Sequence, residues 1–162
     1  MTRAYIALGA NLGDPVATVH AATEALRGLP HTQLIAASSL YRTAPVGLRN
    51  QPDFINAVVS VETQLGTREL LDELFAIEAR FGRYRSVPNA PRTLDLDLLL
   101  HGDTISNDIQ LTLPHPRMHL RAFVLAPLAE ISSGLSIPGH GTVSDLLRNC
   151  TDQQIEALSV TV

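Results

Sequence analysis

Pro91-Arg92-Thr93-Leu94-Asp95-Leu96-Asp97-Leu98-Leu99-Leu100 is the stretch on which the fold turns. Apolar and polar residues alternate at period two between Pro91 and Gly102, which predicts a β-strand with Leu94, Leu96, Leu98 and Leu100 on one face. Asp95 and Asp97 then share the other face. At about 3.3 Å per residue their side chains emerge about 6.6 Å apart, close enough to converge on one hard cation. Two like charges this close repel, so a site that keeps both ionised calls for Mg²⁺ or for arginine. A strand with one solvated face would show the same D-x-D pattern. The neighbourhood favours a site: Arg80, Arg83, Arg85 and Arg92 precede the pair. Carboxylates for a metal beside guanidinium forks for phosphate oxygens is what a metal-bound polyphosphate requires.

Outward from this strand, the flanking segments alternate between strand and helix patterns. Arg3 to Leu8 is a short apolar run stopped by Gly9-Ala10-Asn11-Leu12-Gly13, and Asp14-Pro15 supplies an N-cap with proline in the first turn. Val16, Val19, Thr23 and Leu26 recur at helical spacing, and Gly28 to Pro30 ends that helix. The glycine-rich turn has neither G-x-G-x-x-G spacing nor a Walker A lysine, and reads as structural. Gln33 to Tyr41 and Phe54 to Gln64 read as the second and third strands. On the third, Ile55, Ala57, Val59 and Val61 share one face, with Phe54 and Asn56 on the other.

Thr43 to Asp53, between those strands, is eleven residues long where hairpins commonly use about two to five. Such a loop is either a functional lid or a tolerated insertion. Thr67 is the expected N-cap of a second helix whose core stripe is Leu70, Leu74, Ile77 and Phe81, ended by Gly82. Residues 83–91 form a second long loop that carries arginines toward the aspartate strand. Thr104 to Leu113 is expected to form a hairpin, and Pro114-His115-Pro116 an extended turn. Arg117 to Leu125 is expected to be helical before Pro127, with Arg117 and Arg121 four apart on one face. His115 is held between prolines at a helix entry, where it would donate to a phosphate or serve only the turn. Thr142 and Asp145 resemble the capping pair of a short C-terminal helix.

The order β-α-β-β-α-β predicts an α/β (α+β) ferredoxin-like sandwich, mainly antiparallel, with helices packed on the sheet and C-terminal additions. At 162 residues and 45 % hydrophobic content, residues 1–162 are expected to form one domain. A net charge of −4 gives no support to nucleic-acid or membrane partners. All twelve cationic side chains are arginine. The single cysteine, Cys150, and the lack of a long apolar run point to a cytoplasmic protein, and a monomer is expected.

Tyr41-Arg42-Thr43-Ala44-Pro45, Gln51-Pro52-Asp53-Phe54-Ile55-Asn56, Gly82-Arg83, Pro91 to Asp97 and Leu113-Pro114-His115-Pro116-Arg117-Met118, in this order, strongly resemble the hydroxymethyldihydropterin pyrophosphokinases of folate biosynthesis. The resemblance covers nearly the whole chain. It implies transfer of the β,γ-diphosphate of ATP to 6-hydroxymethyl-7,8-dihydropterin, with AMP as the other product. It further implies that Asp95 and Asp97 hold two Mg²⁺ ions, and that the pterin lies between Phe54 and Phe123. Thr43, Ala44, Pro45, Val46 and Asn56 would read its polar edge. Glu78, Arg83, Arg92, Leu98, His115 and Arg121 would face ATP, with Arg83 and Arg92 also acting on the transferring phosphates. No side chain stands out as a strong base; Asp97 is the nearest candidate to assist. Two departures are visible: the second loop lacks a frequent tryptophan, with Asn89-Ala90 in its place, and Phe54 replaces a frequent tyrosine. Two rival readings share parts of this pattern, a ferredoxin-like regulatory module and a D-x-D nucleotide-sugar transferase. The first leaves the Asp pair beside the arginines without a purpose, and the second needs an acceptor domain for which the chain is short.

Overall fold

A computed structural model describes residues 1–45, 50–82 and 93–161. The elements run β1 (Thr2–Ala10), α1 (Pro15–Arg27), β2 (Thr32–Ala37), β3 (Ser39–Thr43), β4 (Phe54–Thr63), α2 (Thr67–Arg80) and β5 (Asp95–His101). There follow β6 (Ser106–Asp108), β7 (Leu111–Leu113), a 3₁₀ turn (Met118–Leu120), α3 (Ala122–Ser132), β8 (Ser136–Ile137), β9 (Gly141–Thr142), α4 (Val143–Arg148) and β10 (Ile155–Thr161). The main sheet is antiparallel throughout, in the order β10-β3-β4-β1-β5 with β2 also on β4. This is the split β-α-β arrangement of a ferredoxin-like sandwich.

Period-two burial on the central strands separates two cores. Ile6 and Leu8 of β1, Ile55, Ala57, Val59 and Val61 of β4, and Leu96 and Leu98 of β5 pack against Val19, Ala22 and Leu26 of α1 and Leu70, Leu74 and Ile77 of α2. On the opposite face Tyr5, Val58, Leu99 and Leu100 pack with Leu125 and Leu128 of α3 and Val143 of α4. The helices on this second face leave the end of the sheet near Gly9, Asn56 and Asp95 uncovered, and the cleft described below lies there.

The first helix forms as its sequence dictates: the Asp14 carboxylate accepts the Ala17 N–H and Pro15 fills the first turn, where no donor is needed. The second begins one residue earlier than expected. Gly66 rather than Thr67 is its N-cap, with the Gly66 N–H held by Glu69 Oε1 at 3.0 Å, and Gly82 in a left-handed conformation (φ 77°) ends it.

Four other expectations are corrected. Gln33 to Tyr41 is two strands, because Ser38 turns its hydroxyl into the ladder and accepts the Val58 N–H at 3.0 Å, so that β2 and β3 pair with β4 in different registers. The aspartate strand starts at Asp95, and its alternation fails beyond Leu98. Ile6 pairs with Leu98 but Tyr5 with Leu100, a β-bulge that turns Leu100 onto the face bearing Asp95 and Asp97. Arg117 to Leu125 is not one helix: Arg121 is extended (φ −115°, ψ 112°) between the 3₁₀ turn and α3. Pro127 does not stop α3, which runs on to Ser132 with Pro127 buried beside Leu128. The proline removes one ladder donor in a helix held chiefly by its apolar packing.

Candidate active site

A cleft of about 420 Å³ opens where β1, β4 and β5 end beside the start of α3. It is lined by Thr43, Ala44, Phe54, Asn56, Asp95, Asp97, Arg121 and Phe123 of the residues anticipated from sequence, and also by Ala7, Leu8, Gly9, Arg117, Leu120, Val124 and Gln153. Alternation places Asp95 and Asp97 on its floor. They pair with Gly9 and Ala7 of β1, whose small side chains leave the space above the carboxylates open.

One wall reads hydrogen bonds. Asn56 is buried on β4 between Gly9 of β1 and Tyr41 of β3. Its Nδ2 donates to Thr43 Oγ1 at 2.8 Å, which fixes the orientation of the amide and turns the Thr43 hydroxyl proton outward as a donor. A Cβ at Gly9 would lie 3.1 Å from Asn56 Oδ1, so any side chain there would press on the amide and require it to shift. Phe54, two residues before Asn56, lines the same wall. Phe123 also lines the cleft and carries the Arg121 guanidinium 5.4 Å from its ring centre. An aromatic slot with one polar wall suits a flat heterocycle with a donor–acceptor edge.

The relative position of these walls is held from below. Tyr41 Oη donates to Glu130 Oε1 at 2.7 Å, and the Ser39 N–H and hydroxyl both donate to Glu130 Oε2 at 2.9 Å, tying α3 to β3. Burial and the bond to Glu130 push the Tyr41 phenol well above its ordinary pKa. Burial pushes Glu130 up as well, but the bonds from Tyr41 and Ser39 outweigh it and hold the carboxyl below its usual range.

Other anticipated residues stand outside the cleft lining. His115 follows a cis Leu113–Pro114 bond, and its N–H donates to Leu99 O at 3.0 Å. Burial, then the charges of Arg121 and Arg117, push its pKa down to about 4 against the opposing pull of Asp95, so the ring is neutral at pH 7. Its Nδ1 accepts the Arg117 N–H at 3.2 Å, which leaves Nε2–H as the donor. Leu98 is in the core, and Pro45 is half-buried at the end of the described part of its loop. Val46, Arg83 and Arg92 lie outside the described residues.

Glu78, anticipated on the nucleotide side, is 3 % exposed, and its Oε2 accepts the Leu96 N–H at 2.7 Å. It thereby satisfies a backbone donor on β5, the edge strand, between the two aspartates. Glu78→Ala is expected to leave that donor unpaired and to destabilise the protein by about 2 kcal/mol or more, with a loss of activity that accompanies loosening of β5. Chemical denaturation checks it, and an unchanged midpoint would contradict the assignment.

Arg117, Gly9 and Gln153 line the cleft and are not among the residues anticipated from sequence. For Gly9 the signal was its place at the end of an apolar strand; for Gln153, far along the chain, there was none.

Among the described residues no group of three or more His, Cys, Asp or Glu side chains is placed to hold a metal alone. Two carboxylates beside an open cleft do fit Mg²⁺, which commonly takes one or two carboxylates and completes its shell with water and substrate phosphates. No helix among the described residues is long and apolar enough to cross a membrane.

The family model described as 7,8-dihydro-6-hydroxymethylpterin-pyrophosphokinase (HPPK) matches residues 5–133. The 2-amino-4-hydroxy-6-hydroxymethyldihydropteridine pyrophosphokinase of Haemophilus influenzae is 45 % identical, over 98 % of this chain and 99 % of that protein. The protein of the same description from Pseudomonas aeruginosa is 44 % identical over 96 % of each chain. Among solved structures, the wild-type Plasmodium falciparum HPPK-DHPS is similar with a TM-score of 0.71 at 14 % identity, a likeness of fold. It covers 94 % of this chain, which spans 44 % of the length of that one.

Proposed function

Because the chain belongs to the 7,8-dihydro-6-hydroxymethylpterin-pyrophosphokinase family, and so transfers diphosphate from ATP to 6-hydroxymethyl-7,8-dihydropterin in folate biosynthesis, we propose that the cleft between β4, β5 and α3 is where that transfer occurs. The observation that carries this is the meeting, in one cleft, of an aromatic slot with a fixed amide and a pair of carboxylates. The pterin ring stacks between Phe54 and Phe123, while Asn56 and the Thr43 hydroxyl pair with its polar edge. Ala44 and Pro45 close that edge from the loop, and Val46, outside the described residues, is assigned to the pterin with them.

Asp95 and Asp97 would hold two Mg²⁺ ions together with the triphosphate. When bound, the ions neutralise phosphate charge and acidify the attacking hydroxyl. Arg121, Arg117 and the neutral His115 Nε2–H supply donors to the phosphate oxygens, joined by Arg83 and Arg92. Leu98 belongs to the nucleotide side through its strand, and Glu78 acts there through Leu96. This chain's contribution is alignment and charge stabilisation, since in-line displacement at phosphorus asks little covalent chemistry of the protein. The enzyme works as a monomer in the cytoplasm.

Nucleotide products identify the reaction. Incubated with ATP, Mg²⁺ and 6-hydroxymethyl-7,8-dihydropterin, the protein is expected to release AMP in a pterin-dependent manner. ADP as the nucleotide product, or AMP release indifferent to the pterin, would reject the reaction, and Asp95→Ala protein that releases AMP at the wild-type rate would reject the cleft as its site.

A further inference from the structure

Gln153 stands in the turn between α4 and β10, outside the residues 5–133 that the family model matches, yet it lines the cleft. Its side-chain amide grips the chain on both sides of Arg121. Nε2 donates to Leu120 O at 2.8 Å, and Oε1 accepts the Ala122 N–H at 2.9 Å. That pair of bonds is the one a neighbouring strand would make across an extended residue, and Arg121 is extended there. Arg121 offers no side-chain cap to α3, so the Ala122 N–H, one of the orphan donors of a helix start, is satisfied from Gln153 instead.

The turn that carries Gln153 is anchored at both ends. Cys150 is buried in the second core, with its carbonyl accepting the Gln153 N–H at 3.2 Å. Ile155 pairs with Thr43, the residue that holds Asn56 in orientation. A single short segment therefore touches both walls of the slot: the Thr43 wall through the β10 ladder, and the wall of Arg121 and Phe123 through one amide.

We propose that Gln153 is a positioning residue for the transfer, fixing the break between the 3₁₀ turn and α3 and so aiming Arg121 and Phe123 into the cleft. The inference rests on the reading that Arg121 faces phosphate and Phe123 faces the pterin. Gln153 itself touches neither reacting atom. Loss of both bonds frees the backbone of residues 120–122, and placement errors of this size are costly in catalysis.

The test is a cycle of Gln153→Ala, Arg121→Ala and the double variant. Q153A is expected to raise KM for both ATP and the pterin by about three- to tenfold, the range set by the net worth of one ordinary hydrogen bond, since only part of the loss at the backbone reaches the ligands. Its melting midpoint should move by no more than about 3 °C. In the R121A background, Q153A should leave the KM for ATP where R121A alone puts it, because the route through Arg121 is already gone. Wild-type KM values in Q153A, or effects that multiply in the double variant, would overturn the inference. Amide exchange at Ala122 needs no substrate and is expected to be faster in Q153A; unchanged exchange would overturn it too. Failure of the wild type to form pterin-dependent AMP would count against the functional reading instead, and the exchange result would stand apart from it.

Discussion

Asp95→Ala and Asp97→Ala are each expected to lower diphosphate transfer on the order of a thousandfold or more, with the fold retained. The two carboxylates line the same cleft as Arg121 and Arg117, and no third acidic or histidine side chain among the described residues completes a metal site with them. On the proposed reading each therefore supplies a share of the metal binding that no other described carboxylate or histidine replaces. The strand itself should survive, since β5 is held by its backbone ladder to β1, by Leu96 and Leu98 in the core and by Glu78 on Leu96. The loss should appear in kcat and in the Mg²⁺ concentration needed for half activity, with little change in pterin binding measured without nucleotide. Asp97→Asn separates charge from shape. Near-normal turnover in that variant would contradict the assignment of Asp97 to metal and proton handling.

Asn56→Leu is expected to lower kcat/KM for the pterin by a factor of about a hundred to ten thousand. A wall built to exchange hydrogen bonds discriminates strongly, because the partner groups are left unpaired when one member goes. On the proposed pose the loss is double: the Asn56 amide no longer meets the pterin edge, and the Thr43 hydroxyl loses the donor that orients it. Asn56→Asp is the sharper variant, since it keeps the shape. Its carboxylate would accept the Thr43 proton and reverse that bond, removing two donors from the polar wall at once. Pterin titration followed by fluorescence checks both variants; binding within about twofold of wild type would remove Asn56 from the slot.

Much of this arrangement is legible from residue order because strands report their own faces. Asp95 and Asp97 face one way and Leu96 and Leu98 the other, and Phe54 shares a face with Asn56, all by period two. Legibility fails where a single residue interrupts the period. Ser38 bends the strand by turning a hydroxyl into the ladder, and the bulge near Leu99 turns Leu100 to the other core; both depend on what lies on the neighbouring strand. Pro127 is read as a stop by its local chemistry, yet burial with Leu125 and Leu128 carries the helix through it.

The cleft shows the same division. Residues whose chemistry is local to their own strand were identifiable, whereas those defined by partners were not. Gly9 matters because Asn56 lies across it, and Gln153 because it meets Leu120 and Ala122 from more than thirty positions away. β10 went unrecognised for a similar reason. Ile155-Glu156-Ala157-Leu158 has a weak alternation, and what makes it a strand is the open edge of β3.

A crystal structure of the protein with Mg²⁺, a non-hydrolysable ATP analogue and 6-hydroxymethyl-7,8-dihydropterin tests the central claim most directly. The account predicts the pterin ring between Phe54 and Phe123, its polar edge on Asn56 and Thr43, and metal on Asp95 and Asp97 beside the triphosphate. A pterin seated elsewhere, or metal held away from both aspartates, would contradict it.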